Sequence, residues 1–324
     1  MNLRLSTSVH KQMSFPKHIN MDPFFRRKDK VVFVVGPTGT GKSRLAIDIA
    51  TRIPAEVINC DKIQVYKGLD IVTNKVTEEE CRGVPHHLLG VVDPNADYTS
   101  DDFRHHASDA LKLICARDRL PIIAGGSNSF IEALVNEDPE FQSRYECCFL
   151  WVDVSLPVLH SFVSDRVDRM LKSGLIDEVK SIFDPTNFDY SRGIKRAIGV
   201  PELDQYFRNE TSRTRARFLE SAIAKIKENT CMLSCRQLQK IHRLRNRWSW
   251  NMHRIDATEV FVRNGEEAEE AWERVVARPG NMMIEQFLYD ENDHMTTIVP
   301  SESVTVMATN GMPISIPAMA AAAR

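Results

Sequence analysis

Short apolar runs alternate with helical patterns through the middle of the 324-residue chain. The runs are rich in β-branched or aromatic residues and are bounded by turn or polar residues, which predicts buried strands. They lie at 31–35, 57–60, 88–92, 121–124, 148–154 and 250–258. Between the third and fourth runs, apolar residues recur at helical spacing from Phe103 to Ile114. Repeated strand–helix–strand units predict the α/β class with a doubly wound parallel sheet.

A glycine-rich turn follows the first predicted strand and precedes a helical pattern. It reads Gly36-Pro37-Thr38-Gly39-Thr40-Gly41-Lys42-Ser43, which is the P-loop motif G-x4-G-K-S in its strand–turn–helix context. Backbone N–H groups of such a loop and the following helix N-terminus bind phosphate oxygens. Lys42 supplies a mobile cation, and the Ser43 hydroxyl can ligate Mg²⁺. The motif predicts a phosphate site but leaves open ATP hydrolysis, phosphoryl transfer and plain diphosphate binding.

The pattern of apolar residues also divides the chain into predicted segments. From about 156 to 245 the pattern is mostly helical, which predicts a helical insertion before the last core strand. The predicted organisation is a leader at 1–28, a P-loop α/β core at 29–155, a helical substrate-binding insertion at 156–247, a return to the core at 248–280 and a flexible tail at 281–324.

An acidic residue follows the second predicted strand. Asp61 stands at the carboxyl end of that strand, where doubly wound folds bind their ligands. It can act as a Mg²⁺ ligand, as a general base or as a cap of the following segment. Asp153, at the end of the fifth apolar run, is the rival candidate for a metal ligand.

Composition narrows the function classes. The chain has 42 basic and 44 acidic residues and is 43% hydrophobic, which excludes an intrinsically disordered chain and argues against a globally basic nucleic-acid binder. Seven cysteines without a C-x-x-C pair predict free thiols in a reducing compartment. The apolar runs fall short of the roughly 18 residues that a membrane-spanning helix needs, so we expect no membrane partner.

The acid-free N-terminal segment, residues 1–21, carries Arg4, Lys11 and Lys17 among serines and threonines. This composition is typical of an organelle transit peptide, and an ordinary leader is the alternative.

Several blocks beyond the P-loop carry a family resemblance. They are Asp61-Lys62-Ile63-Gln64-Val65-Tyr66 and residues 68–75, 83–88, 125–129, 165–170, 174–179, 196–199 and 236–237. In this order, over roughly residues 30–280, the chain resembles the isopentenyltransferases that prenylate N6 of adenine. Lys62, residues 73–76 and residues 229–237 are similar to the plant adenylate isopentenyltransferases, which form cytokinins. The tRNA-modifying branch usually has serine at the position of Lys62 and proline at that of Val76, and its eukaryotic members tend to add a zinc finger.

The resemblance implies transfer of a dimethylallyl group from dimethylallyl diphosphate to N6 of AMP, ADP or ATP, the first step of cytokinin biosynthesis. The P-loop, with Thr40, Lys42 and Mg²⁺ on Ser43, would stabilise the departing diphosphate, and Asp61 would accept the N6 proton. The expected partners are these small molecules. The expected localisation is the plastid, and the alternative is the cytoplasm. The sequence indicates neither the preferred nucleotide nor an oligomeric state.

Four further candidates each have two interpretations. Arg166 and Arg169, three residues apart on a predicted helix, can close over the diphosphate or form a solvated face. Ser127 can orient Asp61 or a substrate phosphate, or serve only the turn. Lys75 is a weaker candidate of the same kind, whereas His86 and His87 are interpreted as structural.

A basic segment at 229–255 contains no acidic residue and is followed by an acidic helix from Glu266 to Glu273. The basic segment can track RNA, hold nucleotide phosphates or face solvent, and we favour the last two. We expect the acidic helix to be a solvated face. The alternative functions are a tRNA dimethylallyltransferase and a P-loop nucleotide kinase or NTPase.

Overall fold

The described residues form one six-stranded, all-parallel sheet with the strand order β3-β2-β4-β1-β5-β6. The strands are Asp29–Val35 (β1), Ala55–Asn59 (β2), His86–His87 (β3), Leu120–Ala124 (β4), Tyr145–Asp153 (β5) and Met252–Asp256 (β6). Helices connect successive strands, as parallel pairing requires. The predicted α/β class with a doubly wound parallel sheet is therefore confirmed.

The computed structural model describes residues 28–209, 212–248 and 250–289. Its helices are Lys42–Ala50 (α1), Asp70–Thr73 (α2), Glu78–Cys81 (α3), Ser100–Cys115 (α4), Asn128–Asn136 (α5), Pro139–Arg144 (α6), Leu156–Lys172 (α7), Leu175–Ser181 (α8), Asp204–Arg208 (α9), Ser212–Trp248 (α10), Thr258–Phe261 (α11), Gly265–Trp272 (α12) and Arg278–Tyr289 (α13). The predicted leader, apart from Lys28, and the predicted tail beyond 289 lie outside the described residues. No helix within the described ranges is long and apolar enough to cross a membrane.

The central strand β1 is apolar on both faces, as expected for a strand covered by helices on both sides. Phe33 and Val35 belong to one buried cluster, and Val32 and Val34 belong to the other. The carboxyl ends of neighbouring strands are in register, with Val34 opposite Ala124. The loops that follow β1, β2 and β4 therefore emerge side by side along one edge of the sheet.

The predicted helical insertion before the last core strand is also confirmed. Helices α7 to α10 lie between β5 and β6 in the chain, and α10 spans 37 residues. Helix α10 packs against α7, and its Ile226 and Ile241 are buried in the larger core cluster. This packing brings a distant part of the chain beside the carboxyl edge of the sheet.

Most predicted strands differ from the observed ones by one to three residues at their ends, but two predictions fail as elements. The strand predicted at 88–92 is wrong, because the edge strand is His86–His87 and Leu88 has φ 59°. A leucine in the left-handed region ends the extended backbone, and Val92 makes only an isolated bridge to Tyr66. The tail predicted from residue 281 begins as helix instead, because α13 buries Ile284.

Candidate active site

The P-loop joins β1 directly to α1 at the carboxyl edge of the sheet. Its glycines are required by both space and backbone conformation. A Cβ on Gly36 would lie 2.3 Å from the Val152 carbonyl oxygen. Gly41 has φ 90°, and a Cβ there would lie 2.7 Å from the Trp272 ring. The loop is therefore fixed against β5 on one side and α12 on the other.

Lys42 is the buried cation of the loop, with 9% of its surface exposed. Its ammonium donates a hydrogen bond to the Pro37 carbonyl at 2.6 Å. Burial lowers the pKa of Lys42 to about 8, the nearby Asp61 carboxylate acts to raise it, and Arg166 acts to lower it further. Lys42, Asp61 and Arg166 line one cavity, so the P-loop lysine and the acid after β2 meet there, as the sequence predicted.

Asp61 follows β2 by two residues and lines a cavity beside the P-loop. Its Oδ1 accepts hydrogen bonds from the Ile63 N–H at 2.9 Å and the Gln64 N–H at 3.3 Å. The carboxylate thus caps the following turn through one oxygen. The other oxygen, Oδ2, receives no hydrogen bond from the described residues, so it can meet a substrate proton or a cation.

Ser127 contacts the loop after β2, whereas Thr40 contacts its own loop. The Ser127 hydroxyl accepts the N–H of Lys62 at 2.9 Å, and the Ser127 N–H donates to the Cys60 carbonyl at 3.1 Å. Ser127 therefore fixes the residues on both sides of Asp61. The Thr40 hydroxyl is fully buried and donates to the Pro37 carbonyl at 3.0 Å, so its contact in the structure is to the P-loop backbone.

Arg166 lies on α7 and reaches the P-loop. One of its terminal nitrogens donates to the Thr38 hydroxyl at 3.2 Å. Its Nε is buried and has no hydrogen-bond partner among the described residues. Burial and the neighbouring Arg169 lower the pKa of Arg166 to about 10, against the effect of Asp61. Both arginines line the cavity, and Arg169 also lies over the Phe162 ring at 5.1 Å.

The weaker candidates lie in other contacts. Asp153 Oδ2 accepts from Arg254 Nε at 2.7 Å, and Asp153 is not among the described residues that line the cavity. Lys75 contacts Asp70 at 2.8 Å, and His87 contacts the buried Glu56 at 2.6 Å. These contacts give each side chain a structural role, and Asp153 Oδ1 is buried without a hydrogen-bond partner among the described residues.

The cavity has a volume of about 1550 Å³ and combines charged and apolar walls. Its polar lining includes Thr38, Lys42, Ser43, Asp61, Arg166 and Gln237. Val158, Phe162, Val260 and Phe261 supply apolar surface near the same loop. A site of this kind can hold an anionic group against the P-loop, cover a small apolar group and take up a proton at Asp61.

The role of Gln237 is not evident from the sequence, where this residue stands only in the family block 236–237. The Gln237 side chain bridges the P-loop and the loop after β4 across the core of the site. Gln237 is buried on a long helix, and a buried amide needs hydrogen-bond partners. Its burial therefore indicates a role in the contacts of the site.

The basic segment at 229–255 and the acidic helix α12 both form ion pairs with other parts of the chain. Arg243 of the basic segment contacts Glu132 and Arg254 contacts Asp153, each at 2.7 Å. On the acidic side, Glu269 of α12 pairs with Arg44 of α1. Helix α12 is therefore attached to α1 beside the P-loop, so the expectation of a merely solvated acidic face is too simple.

Known proteins with similar sequences are transferases, which agrees with the geometry of the site. A family model described as IPP transferase matches residues 64–143 and 135–244. The chain is 67% identical over 277 residues to adenylate isopentenyltransferase 5, chloroplastic, of Arabidopsis thaliana, covering 84% of each chain. It is 56% identical to adenylate isopentenyltransferase 7, mitochondrial, of the same plant, covering 86% of this chain and 85% of the relative. The adenylate isopentenyltransferase of Humulus lupulus is 44% identical, with coverage of 79% and 89%.

Two solved structures share the fold. A eukaryotic dimethylallyltransferase acting on tRNA superposes with a TM-score of 0.70 at 23% identity, covering 81% of this chain and 80% of that one. The full-length tRNA isopentenylpyrophosphate transferase of Bacillus halodurans gives a TM-score of 0.65 at 25% identity, covering 83% and 100%. The chain therefore belongs to the IPP transferase family of prenyl-transferring enzymes, among the plant adenylate isopentenyltransferases.

Proposed function

We propose that this enzyme transfers a dimethylallyl group from dimethylallyl diphosphate to N6 of the adenine of AMP, ADP or ATP. The observation that carries the proposal is the meeting of the P-loop, the buried Lys42 ammonium and the Asp61 carboxylate at one cavity. A phosphate cradle and a proton acceptor are the two groups that this reaction needs. The names of the plant relatives support the adenine nucleotide as acceptor.

In the proposed step, N6 attacks C1 of the dimethylallyl group while the bond from C1 to the diphosphate oxygen breaks. The electron pair of that bond leaves with the diphosphate, whose added charge the P-loop amides and Lys42 stabilise. Asp61 accepts the N6 proton, so charge and atoms balance without hydrolysis of a nucleotide. Arg166, which contacts Thr38 of the loop, adds a second positive charge on the side of α7.

The proposal includes Mg²⁺ as the cofactor. Within the described ranges, no cluster of three or more His, Cys, Asp and Glu side chains is arranged to hold a metal. Mg²⁺ bound with substrate phosphates needs fewer protein ligands, because it commonly takes one or two oxygens from the protein. Ser43, which lines the cavity at the start of α1, fits that role. The ion would neutralise charge on the diphosphate.

The test is a transfer assay with the full chain. The protein is incubated with dimethylallyl diphosphate, Mg²⁺ and AMP, ADP, ATP or an unmodified tRNA, and the products are identified by mass. We expect an adenine nucleotide heavier by one dimethylallyl group, together with released diphosphate. Prenylation of tRNA alone would overturn the nucleotide acceptor, and loss of a γ-phosphate without prenylation would overturn prenyl transfer.

The pH dependence offers an independent test of Lys42. Because the pKa of Lys42 is about 8, the free enzyme loses its ammonium above that pH. We expect kcat/KM for the donor to fall about tenfold per pH unit there, since this parameter reports groups of the free enzyme. In Lys42→Arg, whose guanidinium stays protonated, the alkaline decline should disappear even if the rate is lower. An unchanged decline in that variant would assign it to another group.

For localisation we propose the plastid. Support comes from the acid-free residues 1–21 and from relatives named chloroplastic, although one of the relatives compared is named mitochondrial. A fluorescent fusion of the full chain, compared with a fusion that begins at residue 28, tests the proposal. Plastid import of the first fusion alone is the expected result, and mitochondrial signal would contradict it.

A further inference from the structure

Gln237 connects two loops that come from different strands of the sheet. Its side-chain oxygen accepts the N–H of Thr38 in the P-loop at 2.7 Å. Its side-chain nitrogen donates to the Gly126 carbonyl, after β4, at 3.1 Å. The Gln237 main-chain carbonyl accepts a hydrogen bond from the Asn128 amide, also at 3.1 Å. One turn of α10 is thereby attached to both loops beside the cavity.

The surroundings of the Gln237 side chain leave little room for another orientation of its amide. Gln237 is 8% exposed, and a Cβ added to Gly126 would lie 2.2 Å from its side-chain nitrogen. A buried amide without partners costs free energy, so both hydrogen bonds favour this one orientation of the side chain. The amide therefore works as a rigid spacer between the P-loop and the loop that leads to Ser127.

This spacer acts on the backbone of the P-loop itself. A P-loop holds anions through a set of backbone N–H groups, and Gln237 occupies the one at Thr38. The Thr38 hydroxyl accepts from Arg166, so the residue is held from α10 through its main chain and from α7 through its side chain.

We propose that Gln237 is a positioning residue for the prenyl donor. It fixes the Thr38 end of the P-loop, which aligns the amides after Thr38 and the Arg166 guanidinium on the diphosphate group. The inference rests on the proposed function for its kinetic readout, although diphosphate binding itself does not depend on prenyl transfer. A loose Thr38 would weaken the hold on the diphosphate, whereas Asp61 keeps its own hydrogen bonds to the Ile63 and Gln64 N–H groups.

The main test is Gln237→Met, which keeps the length of the side chain and removes both hydrogen bonds. We expect the KM for dimethylallyl diphosphate and the Kd of inorganic pyrophosphate to rise roughly 10- to 100-fold. The KM for the nucleotide acceptor should stay within about twofold. Steady-state kinetics and calorimetric titration with pyrophosphate measure these quantities, and thermal unfolding reports whether the variant is folded.

Two further variants keep the test sharp. Gly126→Ala retains Gln237, but the added Cβ would lie 2.2 Å from the present position of its amide nitrogen and displace it, so this variant should reproduce the selective loss of donor binding. Gln239→Met changes an exposed glutamine of the same helix and should leave all constants unchanged. A folded Gln237→Met protein with normal pyrophosphate binding, or with equal losses for donor and acceptor, overturns the proposal. Absence of prenyl transfer with intact pyrophosphate effects would instead contradict the proposed function.

Discussion

Replacing Asp61 by asparagine is expected to lower kcat for prenyl transfer by roughly 10²- to 10⁴-fold, the usual contribution of a positioned general base. The amide has the size of the carboxylate, and its oxygen can still accept the Ile63 and Gln64 N–H groups that now lie at 2.9 and 3.3 Å. The turn is therefore retained, whereas the capacity to take up the N6 proton is lost. The measurement is kcat at saturating donor and nucleotide, with the product identified by mass.

Asp93→Asn is the matched control for this variant. The Asp93 carboxylate accepts the N–H of Asn95 at 2.8 Å, which is the same contact two residues ahead, but in an exposed turn outside the cavity lining. Its kcat should be unchanged. In Asp61→Asn, pyrophosphate binding should stay within about threefold of the parent. If Asp61 instead serves as a Mg²⁺ ligand, more Mg²⁺ will restore the rate, and that recovery would contradict its assignment as the base.

The parts of the site that sequence could predict are local ones. The P-loop is a contiguous motif between a strand and a helix, and Asp61 follows its strand within two residues. Parallel strands end at one edge of the sheet, so their proximity follows once the strands are assigned. The short range of these signals explains why the fold class is confirmed while the edge strand is misplaced: Val91 and Val92 look like strand residues, but the backbone has turned at Leu88.

Other features depend on contacts between distant parts of the chain. Gln237 meets Thr38 across 199 residues and Gly126 across 111 residues, and neither spacing leaves a pattern in the sequence. The lowered pKa of Lys42 comes mainly from burial, which is set by how the surrounding elements close over the loop. Strand order belongs to the same class, because apolar runs show which segments are strands but not which strands are neighbours.

Replacing Lys42 by methionine is expected to lower kcat/KM for dimethylallyl diphosphate by roughly 10²- to 10³-fold, the usual effect of losing one fixed group that stabilises developing charge. The Lys42 ammonium is held at 2.6 Å from the Pro37 carbonyl, and Arg166 is close enough to lower the pKa of Lys42. Methionine fills the same space without charge. Transfer kinetics and pyrophosphate titration measure the loss, which should be larger in the transition state than in binding.

Lys30→Met separates this charge effect from a simple loss of stability. Lys30 also donates its ammonium hydrogen bond to a backbone carbonyl, that of Phe287, but it lies at the opposite end of β1. Both variants lose a lysine-to-carbonyl contact, so both can unfold at a lower temperature. Only the Lys42 variant removes a charge from the diphosphate side of the sheet. Equal losses of kcat/KM in the two folded variants would therefore show that Lys42 supports the loop without stabilising the leaving group.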